Sequence, residues 1–172
     1  MQLVSYIISL VALQLISIYS LSVNTINGEP AALNAFAGRK ILFVNIASNS
    51  SDTAQLGKLE QLHQFYADRL TIIAVPSNDF GNEPLSNNEI NTQLQEKYNI
   101  HYLLTEKQSV SDSLNISPLY QWLTKADQNG MLESHVEKDF YKYLVNKDGL
   151  LVGIFSDKVD PMNVALKKAI LQ

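Results

Sequence analysis

The apolar positions fall into blocks that alternate between continuous runs and helical spacing. Residues 41–47 (Ile-Leu-Phe-Val-Asn-Ile-Ala) form a nearly unbroken apolar run rich in β-branched side chains, which predicts a strand covered on both faces. In residues 53–68, Leu56, Leu59, Leu62, His63 and Tyr66 recur at intervals of three and four, which predicts a helix with those side chains on one face. Residues 70–75 read as a second buried strand, closed by Pro76 and a polar loop over 77–88. A polar helix over 88–98 and a short apolar segment over 100–104 follow. This strand-helix-strand order calls for a right-handed crossover and a parallel pair at the centre of a sheet.

The remaining blocks frame that unit. Residues 17–36 read as a hairpin turning at Asn27-Gly28, with 31–36 as the returning arm. A short helix is expected over 117–124, and 126–136 is a polar connection without a long apolar run. Strands over 140–145 and 150–155 flank the corner Asn146-Lys147-Asp148-Gly149. Asp160-Pro161 supplies an N-cap and a first-turn proline for a final helix whose core side chains would be Val164, Leu166, Ile170 and Leu171.

Ahead of the hairpin, residues 3–16 carry no charge and are strongly apolar, a length that suits the hydrophobic part of a signal peptide better than a full span of about 20 residues. No Lys or Arg precedes the run and no A-x-A pattern follows it. The expected division is an apolar segment over 1–16, a signal peptide that directs export or an N-terminal anchor, and one domain over 17–172.

Composition narrows the chemistry. With 46% hydrophobic and 17% charged residues and a net charge of −4, the chain is globular and has no electrostatic reason to bind nucleic acid. It contains no cysteine, which excludes a disulfide, a thiolate metal site and any mechanism that needs a thiol of its own. His63, His101 and His135 are far apart and lack zinc-binding context. Neither a cofactor nor a metal is expected, and the domain is expected to be a monomer whose partner would be a protein or a small molecule.

Three stretches carry a family resemblance: Asn45-Ile46-Ala47-Ser48-Asn49-Ser50-Ser51-Asp52-Thr53, Val75-Pro76-Ser77-Asn78-Asp79-Phe80-Gly81, and Phe140 through Gly149. They resemble the glutathione peroxidase family of the thioredoxin superfold, whose motifs read N-V-A-S-x-C-G-x-T, F-P-C-N-Q-F-G and W-N-F-T-K-F-L-V. The resemblance implies an α/β, thioredoxin-like domain: a central mixed sheet flanked by helices, with an added N-terminal β-hairpin. It also implies hydroperoxide reduction by a cysteine or selenocysteine held ionised by Gln, Trp and Asn.

Each of those four positions departs from the pattern. Ser50 stands at the peroxidatic position, Asp79 at the glutamine, Lys138 at the tryptophan and Asp139 at the asparagine. Ser77 and Leu94 replace the family's other cysteines. A serine hydroxyl stays un-ionised at neutral pH and has no counterpart of the sulfenic acid step. Ionised Asp79 and Asp139 would accept hydrogen bonds where Gln and Asn donate them, and would repel an anion at residue 50. The expectation is a member of oxidative-stress-related ancestry without thiol peroxidase activity, acting as a binding module or persisting as a relic. The alternative is a repurposed pocket in which Ser50, Asp79, Lys138 and Asp139 serve another reaction or hold a hard cation.

Overall fold

A computed structural model of the chain describes residues 16–111 and 115–172. The apolar run expected to direct export or anchoring lies, except for Ile16, outside the described residues. Among the described residues no helix is long and apolar enough to cross a membrane.

The domain is organised on a five-stranded sheet in the order β5-β4-β3-β6-β7. Strand β3 (Lys40–Ile46) pairs in parallel with β4 (Leu70–Pro76), and β4 in parallel with the short β5 (Leu103–Leu104). On its other side β3 pairs antiparallel with β6 (Lys142–Val145), which pairs antiparallel with the edge strand β7 (Leu151–Phe155). A separate two-stranded ribbon, β1 (Ser22–Asn24) with β2 (Pro30–Ala32), precedes it. This is the expected mixed sheet with its N-terminal hairpin.

Helices cover both faces. Alternate residues of β3 and β4 point to opposite sides: Leu42, Val44, Ile46, Leu70 and Ile72 meet α1 (Ala54–Phe65), α2 (Asn87–Tyr98) and α5 (Val164–Leu171). Ile41, Phe43, Ile73 and Val75 instead meet α3 (Pro118–Thr124), together with Ile18, Val23 and Leu33 from the N-terminal region. Two-sided coverage is why both central strands read as continuous apolar runs rather than alternating ones. Trp122 is buried in the second layer and donates through Nε1 to the carbonyl of Ile16 at 2.6 Å.

Five local expectations are corrected. The returning arm of the hairpin is strand only over Pro30–Ala32, and Leu33–Phe36 turns into a 3-10 helix that buries Leu33. Helix α1 stops at Phe65, where Tyr66 closes it by donating to the carbonyl of Leu62, so residues 66–68 belong to the turn into β4. The polar connection contains a short helix, α4 (Ala126–Asn129), ended by Gly130 in the left-handed region at φ 70°. The final helix begins three residues later than expected: Asn163 is its N-cap and its side chain accepts from Ala165 N–H. Asp160 instead caps a preceding turn, accepting from Met162 N–H at 2.8 Å. Leu166 and Ile170 enter the core, but Val164 and Leu171 remain exposed at 76% and 57%.

Candidate functional site

Ser50 lies in the polar turn between the C-terminal end of β3 and α1, at the sheet edge where α/β folds place their ligand chemistry. The turn is held by the loop that follows β4. Glu83 is fully buried, and its Oε2 accepts from both the backbone N–H and the hydroxyl of Ser48, each at 2.6 Å. Asn49 N–H donates to the carbonyl of Asn82 at 3.0 Å, and Glu83 N–H donates to Asn78 Oδ1 at 2.9 Å.

The third contribution comes from the segment before β6. Asn45 in β3 donates through Nδ2 to the carbonyl of Lys138 and accepts at its backbone carbonyl from Phe140 N–H at 2.7 Å. Phe140 sits at φ 67°, a conformation rare for a non-glycine residue. This bend delivers Lys138 and Asp139 to the neighbourhood of the turn, as the family motif implies.

No hydrogen bond joins any two of the four expected residues. Ser50 is 6% exposed, and among the described residues its hydroxyl has one hydrogen-bond partner, the N–H of Asp52 at 3.4 Å, where it accepts. Lys138 Nζ reaches Asp52 at 3.0 Å and Asp157 at 3.5 Å, and the Asp52 carboxylate holds its ammonium above the usual lysine value. Asp139 is fully buried, accepts from Asn82 Nδ2 at 2.7 Å through Oδ2, and has no partner at Oδ1.

Asp79 is committed elsewhere. Its Oδ2 accepts from the N–H groups of Val110 and Ser111 at 2.7 and 2.8 Å and from the hydroxyls of Ser109 and Ser111 at 3.0 Å. Burial pushes this carboxyl upward, but the four donors outweigh it and hold it below the ordinary aspartate value. Asp79 thus anchors residues 109–111.

A nucleophilic serine needs a base within hydrogen-bond reach, and Ser50 has none among the described residues. Among the described residues no group of three or more His, Asp or Glu side chains is placed to hold a metal ion.

Sequence reasoning missed several residues of the site. Glu83 and Asn82, which tie the turns together, follow the quoted motif by only a few positions, but their partners Ser48 and Asp139 are remote in sequence. Asp157 gave no local signal and Asp160 signalled only a helix start, although Asp157 pairs with Lys138 and Asp160 with Lys58. Lys142 lay inside the quoted stretch. It is fully buried in β6, donating to the carbonyls of Phe140 at 2.7 Å and Ser156 at 3.5 Å.

The glutathione peroxidase family model matches residues 18–124. A hydroperoxy fatty acid reductase of Synechocystis is 37% identical over 151 residues, covering 87% of this chain and 94% of the relative. A glutathione peroxidase-like peroxiredoxin of Chlamydomonas reinhardtii is 33% identical over 149 residues, covering 86% of this chain and 91% of the relative. Among solved structures, the apo form of Trgpx superposes with a TM-score of 0.69 at 24% identity, over 91% of this chain and 96% of that one. A thioredoxin-family thiol:disulfide interchange protein from Chlorobium tepidum superposes with a TM-score of 0.62 at 14% identity, over 91% and 97%.

Proposed function

The chain belongs to the glutathione peroxidase family, and from that premise we propose that it is a member without thiol peroxidase activity, retained as a binding or interaction module. The observation that carries this reading is Ser50: a buried hydroxyl at the peroxidatic position, hydrogen-bonded to a backbone N–H and, among the described residues, to no side-chain base, in a chain without cysteine. Peroxide reduction in this fold needs an atom that takes up the peroxide oxygen and is later reduced, and serine oxygen does not do this. The uncharged run over residues 3–16 supports export or N-terminal anchoring of the domain.

The same observation argues against a serine hydrolase built on Ser50, Asp79 and Lys138. Asp79 is held by residues 109–111, and Lys138 is paired with Asp52 and Asp157, so neither is available as the base. A fluorophosphonate probe, which labels activated serines, is expected to leave Ser50 unmodified by mass spectrometry. Stoichiometric labelling of Ser50 that is lost in Ser50→Ala would replace the binding-module reading with a hydrolytic one.

A further inference from the structure

The sheet has two edges, and the chain treats them differently. At one, β5 is only two residues long and is covered by the N-terminal ribbon: Thr25 bridges Thr105, Ile26 N–H donates to the carbonyl of Leu104 at 2.8 Å, and Glu106 N–H donates to that of Asn24 at 3.0 Å. At the other, β7 pairs with β6 alone, and among the described residues no strand lies on its outer side. An open edge presents a row of unpaired N–H and C=O groups, which proteins blunt with charge, proline or a very short strand. Leu151–Phe155 has no charge and no proline, and the one irregularity in its pairing lies at its start, beside Val145.

The side chains around this edge are apolar and unburied. Met131, Leu132, Leu150 and Val152 are each about half exposed. Met131 and Leu132 flank a groove of about 410 Å³ whose other wall is β7 itself, including Val152 and Ile154. Their backbone is fixed: Asn129 Oδ1 accepts from the N–H groups of Met131 and Leu132 at 2.7 and 3.0 Å, and its Nδ2 donates to the carbonyl of Leu132 at 3.1 Å. Val152 also lines a second hollow beside the exposed Leu171. Contiguous exposed apolar side chains on an anchored backbone mark a contact surface.

The charges at the two ends of the strand identify what covers it. Asp148 lies in the turn before β7 and Lys158 in the turn after it, both exposed and each five residues from Gly153. Two β7 strands paired antiparallel about a twofold axis at Gly153 bring the Asp148 end of each copy to the Lys158 end of the other. The same register sets Val152 against the partner's Ile154 and brings no two like charges opposite each other. From the bare edge, the apolar groove and these matched ends, we propose that β7 is the interface of a homodimer in which a second copy adds its own β7 and the two sheets become one. This replaces the monomer expected from the sequence. The surface shares no residue with the Ser50 turn, so it stands whether or not that turn is silent.

Sedimentation equilibrium of the full chain tests the dimer. The expected result is a reversible change between one and two chains of 19.2 kDa, with a Kd of the order of 10 µM, because a contact built on one short strand lies at the weak end of interfaces. Val152→Lys, which puts a charge into the apolar seam, should weaken association at least about thirtyfold. Phe65→Lys, at an equally exposed apolar position but on α1 beside β4 and α2, should leave it unchanged. Because the chain has no cysteine, single cysteines report the register. Under diamide, Val152→Cys mixed with Ile154→Cys should form mixed disulfides in preference to either variant with itself. A single-chain mass at about 1 mM would overturn the proposal, as would a dimer indifferent to Val152→Lys or cross-links without preference for the mixed pair.

Discussion

Ser50→Cys alone is expected to consume hydrogen peroxide no faster than an ordinary thiol, whereas Ser50→Cys combined with Lys138→Trp and Asp139→Asn should react at least about tenfold faster. The reacting species is the thiolate, and a free thiol with a pKa near 8.5 is only a few per cent ionised at neutral pH. Burial at a position only 6% exposed raises that value further. Nearby, the buried carboxylate of Asp139 offers acceptors only, and Lys138 is already occupied by two aspartates. Asparagine and tryptophan would place N–H donors there, as the family motif does. Asp79 is left in place because its carboxylate holds residues 109–111. The rate of thiol loss after mixing with peroxide measures the effect, and a single variant as fast as the triple would show that Lys138 and Asp139 do not act on residue 50.

The second large effect concerns Lys142. Burial in β6 pulls its ammonium down to about 8 from an ordinary 10.5, against the opposing influence of Asp157, Asp160 and Asp52. Between those two values the unfolded chain holds a proton that the folded chain has released, so stability rises with pH across that window and is lower below it. The shift corresponds to about 3 kcal/mol. The rise ends near pH 10, where burial keeps Tyr102, Tyr120 and Tyr143 protonated in the folded state beyond their ordinary 10.0 and the trend reverses. Thermal midpoints are therefore expected to climb by several degrees between pH 8 and 10. Lys142→Met should remove that climb and leave the protein at least as stable at pH 7, since a neutral side chain of similar length replaces a buried charge. A midpoint that falls steadily over pH 8–10 in the unmodified chain would contradict this account.

Much of the architecture was legible because it is written in local patterns. The run over residues 41–47 identified β3 since coverage on both faces demands it, and Leu56, Leu59 and Leu62 identified α1 through their shared buried face. The start of α5 was misplaced because Asp160-Pro161 and Asn163 are both sound helix openings, and the chain uses Asp160 for a turn first. The site was legible only as positions. That Ser50, Asp79, Lys138 and Asp139 stand at motif positions was what the family resemblance implied, but the partners that decide their chemistry come from distant parts of the chain. Asp79 is satisfied by residues some 30 positions away, Ser48 by Glu83 at a separation of 35, and Lys138 by Asp52 at 86. The burial of Lys142 was equally hidden, because a lysine between apolar neighbours reads as an outward-facing strand position until the turn after β7, which carries Asp157 and Asp160, is in place.

Hydroperoxide turnover by the unmodified chain tests most directly whether peroxidase chemistry has been lost. Purified protein, cleared of host peroxidases, should reduce neither hydrogen peroxide nor an organic hydroperoxide above the protein-free blank, with glutathione or with thioredoxin as reductant. Turnover that scales with protein concentration and is lost in Ser50→Ala would contradict it.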